Sequence, residues 1–527
     1  MRWLLLLLGL LLPAGAEAQP STYRQTSAVL AHYADVAGMK LDSPAFRTPE
    51  PSLTRQDAML EFLDELTGES RHARLGSLGR STERRDIPVV YLTAEGLDDP
   101  AAIHRLGRPV IWLMGQQHGN EPAGGEAMLA LASALSRGEL APLLSKITVV
   151  IVPRVNVDGA EADKRVLASG ADGNRDHLLL SQPEVRALHA AMQALPPDVV
   201  FDHHEFSVAW RWVEKFNGLQ GSDVMILEAT NPSIPNELSE IARGLYRPAF
   251  EAAIKKQGLS SFDYVTTDPV LADKRISLGG TAPGIARNTF GLRGAVSYLI
   301  ETRGVGIGLQ SYQRRVSTHY VLAKAALEVS AADPEGLLRR VAQARAAAAA
   351  DRSDLIISHD QGEREVDLPL INAESGAPMP TPVRLIDSRD IRPVDVRARP
   401  AGYLVLHATS DVAARLALNE VRVREVAAPV ALSVEAYDVA RQQTRKSRES
   451  INPDQSVRVQ IKRKTLDVPV GTLFVPMTQP AAGIVAAALE PDSPGSYLAA
   501  GLIPMASDGT EAPVYRVMDA SGLTLRE

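Results

Sequence analysis

His118 and Glu121 are the first residues in the chain whose types and spacing could do chemistry. They stand in Gly115-Gln116-Gln117-His118-Gly119-Asn120-Glu121, after the apolar run Pro109–Met114 and before the Ala/Leu-rich segment 122–136. An imidazole and a carboxylate just past a strand end, at the opening of a helix, can both turn toward one cation. Zinc accepts histidine nitrogen and carboxylate oxygen, and a set of two His and one Glu leaves a fourth position for water. H-x-x-E alone is a loose motif, because a loop histidine is commonly solvated and the helix dipole favours glutamate at an N-terminus. A third ligand is sought at another strand end, in Phe201-Asp202-His203-His204-Glu205. Adjacent residues leaving a strand point to opposite sides, so one of His203 and His204 faces the site. Glu301 ends the apolar run Ala295–Ile300, where a carboxylate needs either a partner, such as Arg303, or a job. Beside an activated water it would act as general base and then pass the proton to a leaving amine.

The elements that must hold these residues alternate. Ile87–Thr93, Pro109–Met114, Ile147–Val152, Val199–Phe201 and Ala295–Ile300 read as short buried strands. Between and around them, residues 122–136, Pro183–Leu195, Asn236–Ile254 and Tyr312–Val329 read as helices. A further helix follows Thr54, which is read as its N-cap, with Met59, Phe62, Leu63 and Leu66 at helical spacing. Strands alternating with helices imply an α/β domain with a largely buried sheet. Beyond about residue 353, β-branched runs such as Val457–Ile461 and Thr472–Val475 lie between Pro/Gly/Asp turns, with one short helix near Asp411–Asn419. That texture predicts a smaller, mainly β accessory domain, in which no motif suggests chemistry.

The 527 residues suggest two or three domains, and the 45% hydrophobic fraction supplies sizeable cores. A net charge of -7 with acids and bases mixed, and no basic block, argues against a nucleic-acid partner. There is no cysteine, which excludes disulfides, thiolate ligands and a cysteine nucleophile. Arg2, the apolar stretch Trp3–Leu12 and Ala16-Glu17-Ala18 form a secretory leader pattern, so cleavage is expected near Ala18 and the location is periplasmic or secreted. The stretch is too short to span a bilayer, and no membrane span is expected in the mature chain. The expected organisation is a signal peptide at 1–18, an N-terminal extension at 19–52, a catalytic domain at 53–335, a helical linker at 336–359 and the β domain at 360–527.

Taken in order, His118-x-x-Glu121, Asn156-Val157-Asp158-Gly159, Asp172-Gly173-Asn174-Arg175, a histidine in a strand and Glu301 in a later one resemble the zinc carboxypeptidase family, whose type is carboxypeptidase A. The resemblance covers about residues 50–330. It implies an α/β/α fold around a mixed sheet, one zinc ion per chain and a peptide substrate with a free C-terminal carboxylate. Position by position it implies His118, Glu121 and His204 as metal ligands, with His203 as runner-up because the family commonly shows Asp-x-His there and Asp202 fits. It implies Asp172 orienting a ligand histidine, which suits the habit of metal-bound His of giving its other N–H to a carboxylate. Asn174 and Arg175 would bind the terminal carboxylate, as a bidentate arginine can. Arg165 would face the developing oxyanion, and Glu301 would be the catalytic base. Val157 departs from the family's proline, and no residue is assigned to its substrate-binding tyrosine. In the Gly-rich stretch from Gly279, Arg287 reads first as a solvated loop arginine and second as a further anion contact.

Two other functions fit parts of this pattern. One is a zinc amidohydrolase deacylating small N-acyl amino acids, resembling succinylglutamate desuccinylases and aspartoacylases. The other is a non-catalytic zinc- or peptide-binding relative, which the presence of Glu301 disfavours. His204-Glu205 is not a metalloprotease helix motif, because Val208 stands where the second histidine would be, and Gly76-Ser77-Leu78-Gly79 lacks the spacing of a serine-hydrolase elbow.

Overall fold

A computed structural model of the chain describes residues 22–445, 454–504 and 511–526. The leader expected at residues 1–18 lies outside them. The centre of the fold is an eight-stranded mixed sheet: β1 (Ala73–Arg80), β2 (Asp86–Leu92), β3 (Val110–Gly115), β4 (Thr148–Val152), β5 (Val199–Ser207), β6 (Val224–Glu228), β7 (Ser261–Asp263) and β8 (Val296–Val305). Their order across the sheet is β1-β2-β4-β3-β5-β8-β6-β7. The four middle strands β4, β3, β5 and β8 run parallel, so their C-terminal ends open on one side. Every residue of β3 and β4 is buried, as expected of a parallel sheet covered on both faces. Helices Pro122–Arg137 and Tyr312–Ala332 cover one of those faces. This is the expected α/β layer architecture, followed by a smaller, mostly β C-terminal domain.

Two local expectations change. β5 does not end at Phe201. It continues through Asp202-His203-His204-Glu205 to Ser207, pairing with β8 along the way. Its polar residues stay inside a strand because each makes at least one polar contact to a neighbouring group, so hydrophobicity alone misplaces its end. Thr54 is not a helix cap either. The helix is Gln56–Glu69 with Arg55 at its N-cap position, and the Thr54 hydroxyl donates to buried Glu126 Oε2 at 2.6 Å.

The segments flanking the central domain complete it. Tyr33, in the N-terminal extension, lays its ring 3.4 Å from the Arg303 guanidinium and donates its hydroxyl to the Gly221 carbonyl at 2.8 Å. Arg303 is therefore engaged by Tyr33 and by Gln25 Oε1 at 3.0 Å, not by Glu301. The stretch read as a linker contains helix Pro334–Ala350, which buries Leu337, Val341 and Ala344 in the central core. A long antiparallel hairpin follows, Leu355–Ile371 with Pro378–Arg397. It pairs with central-domain segments at Leu370–Gln220 and Leu385–Ile276. It thereby builds a second core with Trp212, Met225, Leu227 and Leu278.

The rest of the C-terminal region is a seven-stranded sheet with helices Ser410–Leu418 and Ala482–Leu489. The second helix is apolar all round and almost wholly buried, as a helix wedged between two layers must be. The next residue, Glu490, is fully buried. It accepts from Tyr403 at 2.6 Å, Tyr437 at 2.8 Å and Arg397 at 2.6 Å, with Arg516 Nε 3.2 Å away. Truncating this carboxylate leaves two buried tyrosine hydroxyls without their acceptor and takes one of two carboxylates from each arginine, Arg516 keeping Glu435 and Arg397 keeping Asp492. Removing one partner of a buried ion pair typically costs ~3–5 kcal/mol. Glu490→Ala should therefore lower the denaturant midpoint sharply, while Glu425→Ala, at an exposed pair with Arg526, should leave it nearly unchanged.

Candidate metal centre

The loop after β3 is fixed before it presents anything. Gln116 has a positive φ of 51°, its side-chain amide donates to the Gly119 carbonyl at 2.8 Å, and Arg154 donates to its Oε1 at 2.8 Å. Gly119 packs directly on the Asn156-Val157-Asp158-Gly159 segment. A Cβ at Gly119 would stand 2.0 Å from the Gly159 carbonyl carbon, so only glycine permits the approach. Asn156 caps the turn by accepting from Gly159 N at 2.8 Å. Buried Asp158 accepts from Ser81 at 2.8 Å and Arg85 at 2.7 Å. The N-x-D-G motif is thus a brace for the His118 loop.

His118, Glu121 and His204 converge at the C-terminal ends of β3 and β5, all three buried, and can hold a metal ion. His118 Nδ1 lies 2.8 Å from Glu121 Oε1, and His204 Nδ1 lies 2.8 Å from Glu121 Oε2. The two Nδ1 atoms are 3.1 Å apart. On the far side of each ring, Nε2 meets an aspartate: Asp172 at 3.1 Å for His118 and Asp202 at 2.8 Å for His204. Those partners place the ring protons on Nε2, which turns two Nδ1 lone pairs and a carboxylate toward one point. Such an arrangement repels itself unless a cation stands at the centre, and its donors suit zinc. The electrostatics agree. Burial alone would raise the Glu121 carboxyl, but the two histidines hold it well below the usual carboxylate range. Burial would lower the proton affinity of His204, yet Asp202 and Glu121 raise it well above the usual value. A site that draws a proton so strongly is built for positive charge.

His203 is placed elsewhere. On the opposite face of β5, its Nδ1 stands 3.0 Å from His319 Nδ1, and it takes no part in the cluster. Behind His204 a line of buried polar groups runs outward. Gln117 donates to Asp202 Oδ2 at 2.7 Å and meets His177 Nε2 at 2.8 Å. His177 Nδ1 meets His189 Nε2 at 3.0 Å, and Arg293 Nη1 meets His189 Nδ1 at 3.1 Å. Arg293 then pairs with Glu420 of the C-terminal domain. Sequence reasoning missed this line, since Gln117, His177 and His189 share no spacing.

A cavity of about 830 Å³ opens over the cluster. Glu301 lines it and is 7% exposed. Burial, then the charge of Glu121, pushes its carboxyl up to about 7 against the opposing pull of His204, His118 and Arg165. Arg165 donates to Asp172 Oδ2 at 2.8 Å and lies 3.3 Å from Glu121 Oε1 and 3.2 Å from His118 Nδ1, at the mouth of the cluster. Asp172 also accepts from Asn174 N at 2.9 Å, which fixes the turn Gly173–Arg175. The Asn174 side chain accepts from Ala286 N at 2.8 Å and lies 3.3 Å from His204 Nε2. Its amide is therefore already engaged between the cluster and helix Ala286–Leu292. Arg175 lines the cavity and donates to the Asn174 carbonyl at 2.9 Å. Arg287 is neither in a loop nor solvated. It lies on that same helix, 2% exposed, and lines the cavity too.

Residues 59–307 match the family model described as zinc carboxypeptidase. The chain is 27% identical over 513 residues to carboxypeptidase 2 of Trichophyton rubrum, covering 95% of each protein. It is 26% identical over 515 residues to carboxypeptidase 2 of Trichophyton equinum, again covering 95% of each. Among solved structures, it is 19% identical to a Pseudomonas aeruginosa metallo-carboxypeptidase in complex with (2-guanidinoethylmercapto)succinic acid, covering 54% of this chain and 70% of that one, with a TM-score of 0.40. A metallo-carboxypeptidase from Burkholderia cenocepacia is 18% identical, covering 53% and 69%, also with a TM-score of 0.40.

The different placement of the neighbouring histidines is directly testable. His204→Ala removes a donor from the cluster and should abolish stoichiometric metal binding, measured by mass spectrometry of the metal-loaded protein. His203→Ala should retain one metal per chain. Equal loss in both variants would contradict the assignment.

Proposed function

The chain belongs to the zinc carboxypeptidase family, and on that premise we propose that it is an exported metallo-carboxypeptidase releasing C-terminal residues from peptides with one zinc held by His118, Glu121 and His204. The observation that carries this reading is a buried Glu301 in the same cavity as a two-His, one-Glu cluster with both histidines backed by aspartates. Zinc, when bound, supplies a Lewis acid that polarises the scissile carbonyl and acidifies water. Export is supported by the leader pattern of Arg2, Trp3–Leu12 and Ala16-Glu17-Ala18. Among the described residues no helix is long and apolar enough to cross a membrane.

The chain's own groups divide the remaining work. Glu301 takes the proton of the attacking water and delivers it to the leaving amine, a role suited to a carboxyl whose affinity for protons lies near neutrality. Arg165 is held at the cluster mouth by Asp172, where its guanidinium can donate to the carbonyl oxygen as charge develops. Arg175 offers a planar fork for the terminal carboxylate. Asp172 and Asp202 fix the tautomer of the ligand histidines. Asn174 fits a positioning role at least as well as direct contact, because it ties His204 to Ala286 N.

The first test pairs zinc content by mass spectrometry with release of C-terminal amino acids from a mixed peptide pool. One zinc per chain and chelator-sensitive release are expected. Glu301→Gln should keep the zinc and lose turnover by about 10²–10⁴-fold; full activity in that variant would remove Glu301 from the mechanism. The pH profile follows from the same residue. Glu301 must be ionised to accept a proton, so kcat/KM should fall on the acid side. A bound cation favours the ionised form, so the midpoint should lie no higher than about 7. Arg175→Ala should raise KM for peptides with a free C-terminus and leave the already poor hydrolysis of C-terminally amidated ones unchanged.

A further inference from the structure

We propose that Arg287 selects the residue to be released, and that the pocket takes a C-terminal amino acid with an acidic side chain. This rests on the carboxypeptidase reading and adds to it the substrate class.

The inference begins with an accounting of charge in the cavity. Four arginines line it: Arg165, Arg175, Arg211 and Arg287. Arg211 is exposed at the rim and donates to the Thr267 carbonyl at 2.8 Å. Arg165 is bonded to Asp172 and paired with Glu121. Arg175, on the turn that Asp172 caps, is the group offered to the terminal carboxylate. Arg287 is the remaining cation, and it is 2% exposed. Its Nη2 donates to the Gly280 carbonyl at 2.6 Å, and its Nε is buried with no hydrogen-bond partner. Among the described residues no carboxylate lies within ion-pair distance of it. The Tyr264 phenol bears on it first, but burial raises that hydroxyl and keeps it neutral, and the two carboxylates that follow are committed elsewhere. Glu228 is gripped by Arg389 through both oxygens, at 2.8 and 2.9 Å, and Glu301 is the proposed base. Burial draws the Arg287 guanidinium down to about 10, which still leaves it charged at neutral pH.

A buried guanidinium without a counter-charge is costly, and a fold retains one where a ligand completes it. The surroundings have the shape for that. Gly279 has a φ of +51°, and a Cβ there would stand 2.7 Å from Arg287 Nη2 and 2.5 Å from Leu227. The glycine thus leaves the space in which the guanidinium lies. Met225 and Leu299 add apolar wall to the same cavity. In such surroundings a charge-assisted bond is worth more than in water. A peptide ending in glutamate or aspartate carries two carboxylates, and the cavity offers two arginines, Arg175 and Arg287, to receive them. A neutral or basic end residue leaves Arg287 uncompensated, and a basic one adds like charge.

The test uses the zinc-loaded full chain and a series of N-blocked dipeptides alike except for the last residue: Glu, Asp, Gln, Leu and Lys. Glutamate and glutamine differ in charge with little change of shape, so their kcat/KM ratio reads the cation directly. A preference for Glu over Gln of about 100-fold or more is expected. Arg287→Gln should collapse that ratio to within a few-fold of one, while hydrolysis of the Leu substrate stays within about 10-fold of wild type and zinc content stays at one per chain. No preference for Glu over Gln in the wild-type protein overturns the proposal, whether or not the variant folds. So does an equal loss on every substrate in a folded, zinc-loaded Arg287→Gln, which would mean that Arg287 docks the terminal carboxylate common to them all. Hydrolysis of Leu or Lys ends with Glu disfavoured sinks this inference and leaves the carboxypeptidase reading standing; no hydrolysis of any member sinks both.

Discussion

Two imidazole lone pairs and a carboxylate aimed at one point will not stay together unaided, and much of this fold exists to keep them there. The Nδ1 atoms of His118 and His204 are 3.1 Å apart with Glu121 between them. Each ring is held from behind by an aspartate, each aspartate by further donors, and the loop carrying His118 by a glycine-on-glycine contact with the Asn156 turn. The adjacent parallel strands β3 and β5 bring the two ligand-bearing segments side by side. The sheet supplies the register, the second layer of hydrogen bonds supplies the direction, and a cation bound there would supply the charge that makes the arrangement stable.

The walls around that point come from distant parts of the chain. The hairpin Leu355–Arg397 shares a core with Met225 and Leu227, whose neighbours shape the cavity, and its Gln361 reaches the cavity itself. The N-terminal extension seals Arg303 on β8 beneath the Tyr33 ring. The region after the catalytic segment is therefore structurally part of the site's surroundings, although none of its residues belongs to the ligand cluster.

Much of this was legible in the sequence, for identifiable reasons. H-x-x-E after an apolar run marks a ligand pair because the strand-to-helix turn fixes their geometry, and the buried middle strands show as short apolar runs because both their faces are covered. Polar residues inside a strand were not legible. Asp202 to Glu205 look like a strand terminus, and only pairing with β8 and satisfaction by Gln117, His319 and Arg315 keep them in the sheet. Thr54 has the local signature of a cap, but a buried glutamate from a distant helix claims its hydroxyl. The burial of Arg287 was equally hidden, since a Gly-rich context resembles a solvated loop until helix Ala286–Leu292 is seen to fold inward. The hairpin's two long strands were obscured by their bulges, which break the alternation that periodicity detects.

The line from His204 through Asp202, Gln117, His177, His189 and Arg293 to Glu420 has a consequence for how the molecule is made. Ribosomes release a chain from its N-terminus, so every ligand and every strand of the central sheet emerges before Glu420 does. Until then Arg293, 3% exposed in the finished protein, lacks the carboxylate that balances it, and the buried histidines behind the centre end at an unpaired cation. In the nascent chain the catalytic half is complete in its residues but not in its electrostatics, and the C-terminal domain sets the moment at which the centre behind those residues is finished.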